Sequence, residues 1–184
     1  MEYFIDTEFI EKPGSIELIS IGIVSNDGRE LYAVSKDFNL QDAWADEWIR
    51  ENVLKPIYHD FNRDKSRVFT LPSMWSVIRE YGKSNKEIAA EIIDFIPSNT
   101  NPVFYGYYSA YDWVLFCWLF GRMIDLPKRF PMYCNDLKQI MLGMGVTKKD
   151  EGYPVQENEH NALADAHWNK KLYEFILSEY EKQL

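Results

Sequence analysis

The sequence predicts an α/β domain with a mixed five-stranded central sheet flanked by helices. Three observations carry this. Three strand-like segments joined by short turns open the chain, helical and strand-like segments then alternate, and no repeat or composition break divides the 184 residues. Residues 1–184 therefore read as one domain, long enough to bury a sizeable core.

Composition narrows the class. The chain is 46% hydrophobic and 16% aromatic, which excludes a disordered polypeptide. Its longest strongly apolar run, Trp113 to Gly121, is too short to span a bilayer. The first strand begins at once with no basic leader, so a cytoplasmic protein is expected. Cys117 and Cys134 sit in apolar stretches and read as reduced core thiols. The net charge of −9 argues against a simple nucleic-acid-binding module, since those are usually basic. It leaves room for a metal-dependent nuclease, where cations supply positive charge at the point of phosphate approach.

Met1 to Ile10 is aromatic and β-branched, a strand. Alternation puts Asp6 and Glu8 on one face with Phe4 and Ile10, and Tyr3, Ile5, Thr7 and Phe9 on the other. Lys12-Pro13-Gly14 is a turn, Ile16 to Val24 a buried strand, Asn26-Asp27-Gly28 a hairpin turn and Glu30 to Val34 a third strand. Asp42 is placed to cap a helix from Ala43 to about Leu54. Its inward stripe is Trp44, Trp48, Ile49 and Val53, and Lys55-Pro56 ends it. Pro56 to Pro72 reads as a long polar loop. A short helix follows from Ser73 to Tyr81, and Ser84-Asn-Lys-Glu87 is a capping box for another that buries Ile88, Ile92, Phe95 and Ile96.

Pro102 to Tyr107 is the fourth strand. Ser109 opens a helix with Trp113, Phe116, Cys117 and Phe120 inward, closed by Gly121. The fifth strand is expected at Met132 to Cys134, followed by a helix from Asp136 to about Leu142. Gly143 to Glu159 reads as a loop and Ala162 to about Lys182 as the last helix, with Ala164, Trp168, Leu172, Phe175 and Ile176 inward.

The acids carry the chemistry. Two carboxylates two residues apart on an apolar strand repel, and burying them is costly without a cation between them. Hard carboxylate oxygens suit Mg²⁺ or Mn²⁺. An edge strand with its acids in water explains the pair equally well. Asp112 follows the fourth strand and reads either as a further ligand or as the acid of Ser109-x-x-Asp112, a helix-capping variant. His160 and Asp165 would lie roughly 140° apart on one helix. They converge only if Asn161 is the N-cap, with His160 before the helix and Asp165 in its first turn. His59 and His167 are expected to have no catalytic role.

The ordered set Asp6-x-Glu8, Asp112 and His160-x₄-Asp165 resembles the DEDDh family of 3′–5′ exonucleases. That resemblance implies a ribonuclease-H-like fold. It also implies two Mg²⁺ ions, replaceable by Mn²⁺, held by Asp6, Glu8, Asp112 and Asp165, with His160 as the base that activates water. The residue four before the last Asp is Asn161, where the tyrosine subtype has Tyr, so the histidine subtype fits.

Further stretches are similar to the RNase AS family of mycobacterial exoribonucleases. They are Tyr3 to Glu11, Ile16 to Gly22, Ala110-Tyr-Asp112 and His160-x-Ala-Leu-x-Asp-Ala166, and the likeness is weakest over 36–87 and 143–159. This implies 3′-end trimming of single-stranded RNA to nucleoside 5′-monophosphates, a poly(A) preference and a homodimer. The alternatives are a DNA-directed 3′–5′ exonuclease of the same class and a catalytically silent nucleic-acid-binding adaptor. Thr7 and Phe9, pointing away from the acids on a regular strand, are expected to take no part. Trp44, Trp48 and Trp75 are the aromatics able to stack on bases, but helical spacing assigns the first two to the core.

Overall fold

The computed structural model describes residues 1–64 and 66–182. Three strands, β1 (Glu2–Lys12), β2 (Ser15–Ser25) and β3 (Glu30–Val34), form the antiparallel meander. Two more, β4 (Val103–Gly106) and β5 (Asn135–Asp136), add in parallel to β1. The described residues thus form a five-stranded mixed sheet of order β3-β2-β1-β4-β5, with β1 at its centre. Helices flank it, an arrangement consistent with the ribonuclease-H-like fold.

The pleat of β1 separates two cores. Tyr3 and Ile5 pack with Phe104, Ile88, Ile92, Trp113 and Phe116, so α5 (Asn85–Phe95) and α6 (Ala110–Phe120) cover that face. Phe4 faces the other way, its ring 5.3 Å from Tyr173 of α8 (Ala162–Glu181). Tyr173 packs against a second cluster, which joins α7 (Leu137–Met144) to α8 through Leu137, Met141, Trp168 and Leu172, and a third gathers Ile10, Ile19 and Val34 with Leu54, Tyr58 and Met74.

Between β3 and α5 the chain departs from expectation. The single helix expected over Ala43 to Leu54 is instead α1 (Leu40–Ala45), capped by Asn39 and not Asp42, and α2 (Glu47–Ile49), capped by Asp46. A π-helical turn (Arg50–Leu54) runs on into α3 (Lys55–Phe61). Pro56 does not end the helix. It lies in the first turn of α3, where its missing N–H matters least, and the wide turn just before gives its ring room. The loop expected from Pro56 to Pro72 is therefore helical at its start, and α4 (Leu71–Tyr81) begins earlier than Ser73 on a Thr70 capping box. Two features match the reading of the sequence closely. Ser84 and Glu87 form their capping box, and Asn161 caps α8 by accepting from the Leu163 and Ala164 amides at 3.1 Å each.

The fifth strand lies at Asn135–Asp136, beyond the expected Met132 to Cys134. Met132 and Tyr133 are exposed, so their apolar character reports surface. No described helix is long and apolar enough to cross a membrane.

Candidate active site

Asp6 and Glu8 stand on β1 opposite Gly22 and Ser20 of β2. Gly22 decides what can approach them. A Cβ there would lie 2.2 Å from the Ala162 carbonyl oxygen and 2.5 Å from the Leu163 nitrogen. Only a glycine lets the first turn of α8 rest backbone-to-backbone on the sheet. Asp165, in that turn, is thereby carried to the β1 acids. One turn further, the buried Asn169 side chain donates to the Ile5 carbonyl at 2.9 Å, a second tie between helix and strand. Ligand oxygens of Asp6, Glu8 and Asp165 can all lie within 4.8 Å of one another.

Asp112 arrives from the opposite face. β4 pairs with β1 only over Glu2 to Phe4, so the Thr7 amide has no β4 partner. Asp112 fills that place. Its Oδ1 accepts from the Thr7 nitrogen at 2.9 Å and from the Thr7 hydroxyl at 2.6 Å. The turn that delivers it is tied down by Asp136, which accepts from the Ser109 amide at 3.0 Å while capping α7. The Ser109 hydroxyl does not cap α6, so the capping-box reading of Asp112 fails, although Asp112 does lie in the first turn of the helix.

The four acids disturb one another. Glu8, Asp112 and Asp165 are buried, and Asp6 is partly open to the cleft. Burial, then repulsion from Asp112, Asp165 and Glu8, pushes the Asp6 carboxyl well above the usual range. Burial and the charges of Asp165 and Asp112 push Glu8 up to about 8. Burial lifts Asp112 to about 6 against the pull of the Thr7 hydrogen bonds. Asp165 is raised by burial, less so because Gln156 Nε2 donates to its Oδ1 at 2.7 Å and the His160 amide to its Oδ2 at 2.9 Å. Among the described residues no Lys or Arg forms an ion pair with any of the four. Such a group is suited to divalent cations, which would remove the repulsion.

His160 precedes α8, as expected, with a left-handed backbone at φ 70°. Its ring is partly exposed and packs edge-on against Trp48, centroids 4.6 Å apart. It borders the same cleft of about 610 Å³ as the four acids. His59 lies on α3, and His167 pairs with Glu30 at 2.9 Å outside the cleft lining.

Two residues, Thr7 and Trp48, run against the reading of the sequence. Thr7 was expected to be idle but fastens Asp112. Phe9 does lie on the Tyr3 and Ile5 side, as expected, packing against that core, and it also borders the cleft. Trp48 was assigned to the core but is 52% exposed at the cleft wall, whereas Trp44 does pack against the core. Gln156 carried no signal, lying in a loop without periodicity.

The profile of the 3'-5' exoribonuclease Rv2179c-like domain matches residues 73–177, more than half of the chain and the part that holds Asp112, His160 and Asp165. Two curated proteins are each 32% identical to the chain over 180 residues. That covers 97% of the chain and 94% of each relative. They are 3'-5' exoribonuclease MT2234.1 of Mycobacterium tuberculosis (strain CDC 1551 / Oshkosh) and 3'-5' exoribonuclease Rv2179c of Mycobacterium tuberculosis (strain ATCC 25618 / H37Rv).

Proposed function

The chain belongs to the Rv2179c-like 3'-5' exoribonuclease family, and on that premise we propose that it is a metal-dependent 3′–5′ exoribonuclease releasing nucleoside 5′-monophosphates from single-stranded RNA. The observation that carries the proposal is the convergence of Asp6, Glu8 and Asp165 within 4.8 Å, with Asp112 acting on the same charge.

Asp6, Glu8, Asp112 and Asp165 would hold two divalent cations, Mg²⁺ or Mn²⁺. The donor set fits: hard oxygens only, raised carboxyl groups and, among the described residues, no Lys or Arg ion-paired with the four acids. Bound there, such ions supply an acidified water and offset the charge that develops on the phosphodiester. The protein's own groups do the rest. Thr7 fixes Asp112, Gln156 and the His160 amide fix Asp165, and Gly22 admits the helix that carries it. The His160 imidazole, beside the acids but outside their cluster, takes the proton of the attacking water. Histidine suits this because it exchanges protons near neutral pH.

Two finer points rest on resemblance. One is a preference for adenine-rich 3′ ends. The other is a homodimer, for which α6 offers Val114 and Trp118 exposed on a helix apolar nearly all round.

One experiment tests the reading. RNA and DNA oligomers of one sequence, labelled at the 5′ or 3′ end, are incubated with Mg²⁺, Mn²⁺ or chelator. Stepwise shortening of RNA from the 3′ end, only with metal, is expected. Internal cutting, or undiminished activity in chelator, would overturn it.

A further inference from the structure

Two of the four central acids have hydrogen-bond donors of their own. Asp112 has Thr7, and Asp165 has Gln156 and the His160 amide. Asp6 is partly open to the cleft. Glu8 is buried like Asp112 and Asp165, yet among the described residues no hydrogen bond reaches its carboxylate. A carboxylate that gives one oxygen to a cation keeps lone pairs that need donors. The groups that supply them fix the orientation of the ligand.

The sheet brings two such donors to Glu8. Ser20, fully buried, is the direct partner of Glu8 in the ladder between β1 and β2. Directly opposed residues share a face, with Cβ atoms roughly 4.5–5.5 Å apart. Tyr32 of β3 pairs with Gly22, so it stands diagonal to Ser20 on that face, a separation an aromatic side chain can span. Its ring stacks on Phe61 of α3, centroids 6.1 Å apart. Burial pushes the Tyr32 phenol up, the neighbouring Ser20 hydroxyl eases it, and the charges of Asp60 and Glu8 raise it further. The Ser20 and Tyr32 hydroxyls are both sealed from solvent, and neither has a hydrogen-bond partner among the described residues. A buried hydroxyl left in that state is costly, and it is a rotor that can turn to an acceptor beside it.

We propose that Ser20 and Tyr32 are positioning residues for Glu8: once Glu8 is fixed as a cation ligand, the Ser20 hydroxyl donates to its remaining oxygen and the Tyr32 hydroxyl donates to Ser20. This rests on the metal-dependent reading of the acidic centre and adds what holds the Glu8 ligand in place. Thr7 serves Asp112 in the same way from the opposite side of the centre, with its contact already made. The chain of hydroxyls also ties Glu8 to β3 and α3, which hold the Tyr32 ring.

The test measures Mg²⁺ binding by calorimetry, and Tm in chelator and in Mg²⁺, for wild type, Ser20→Ala, Tyr32→Phe and the double variant. Each substitution removes a hydroxyl and keeps the rest of the side chain. Mg²⁺ affinity is expected to fall roughly 10–100-fold in Ser20→Ala, as it does when other groups that support a metal ligand are removed. It should fall less in Tyr32→Phe, and no further in the double variant than in Ser20→Ala, because Tyr32 acts through Ser20. In chelator neither single variant should melt below wild type, since the hydroxyl it loses had no partner. A packing role would lower Tm equally with and without Mg²⁺. That result, an unchanged Mg²⁺ affinity in either single variant, or additive losses in the double variant overturns the proposal while leaving the metal-dependent reading in place. Failure of wild type to bind Mg²⁺ overturns that reading and this inference together.

Discussion

Thr7 gives Asp112 both its backbone amide, at 2.9 Å, and its hydroxyl, at 2.6 Å, to a single carboxylate oxygen. The pairing leaves the second oxygen of Asp112 free for the cleft. Thr7→Val keeps the shape and removes the hydroxyl. It should lower kcat by roughly tenfold and stability by about 1.5–3 kcal/mol, the range for a hydrogen bond to a charged group. Thr7→Ser should retain most activity. Steady-state kinetics and urea unfolding check both; wild-type kcat in Thr7→Val would show that Asp112 needs no such hold.

The raised carboxyls set a pH dependence for the metal-free protein. Glu8, at about 8 when folded, ordinarily loses its proton near 4.5. Between these values the folded state holds a proton that the unfolded state has released, so stability falls as pH rises through that window. Asp6 and Asp112 act in the same direction. Thermal unfolding in chelator should give a Tm that declines from about pH 5 to pH 8. Added Mg²⁺ should raise Tm most at the alkaline end, where the acids are free to bind it. A Tm in chelator that climbs over this range would contradict the account.

Asp6 feels all three other acids, so its replacement separates stability from activity. Asp6→Asn should abolish nearly all turnover. The same variant in chelator at pH 8 should melt higher than wild type, because the central charge is gone, and should respond weakly to Mg²⁺. Calorimetry on both proteins reads the two effects.

His160→Ala leaves the carboxylates in place. Turnover should fall by roughly 10²–10⁴-fold, the worth of a positioned base, while the Mg²⁺-induced rise in Tm stays near that of wild type. Loss of the metal response would reassign His160 from proton transfer to cation binding.

Gly22→Ala forces a methyl onto the Ala162 carbonyl, 2.2 Å from where its carbon would sit. Overpacking against backbone costs about 1–3 kcal/mol, and the displaced first turn of α8 should carry Asp165 away from Asp6 and Glu8. Lower Tm and weaker Mg²⁺ binding are both expected. An unchanged Mg²⁺ affinity would mean that the helix start is not what places Asp165.

The residues whose neighbours are near in sequence were the ones legible before the fold was known. Period-two alternation placed Asp6 and Glu8 with Phe4, and a single capping residue, Asn161, fixed both His160 and Asp165 relative to α8. What stayed hidden depended on distant chain. Thr7 matters because β4 stops at Gly106, a fact of strand length that no local pattern states. Trp48 sat in a stripe drawn for one continuous helix. The chain breaks that helix at Asp46 and widens it at Arg50–Leu54, so the stripe lost its phase. Pro56 misled for a related reason, since proline is tolerated in a first turn and only there.

The early end of β4 makes β1 an interior strand at one end and a border strand at the other. A bare strand border invites another chain to pair with it. Here the opening turn of α6 lies across it: Asp112 occupies the Thr7 amide, Tyr111 donates to Glu11 at 3.1 Å, and its ring stands 5.7 Å from Phe9. The residues that complete the acidic centre are thus also those that keep β1 from acquiring a sixth strand. A peptide designed to extend the sheet at this border would have to displace Asp112 from Thr7, and would disable the acidic centre by the same movement.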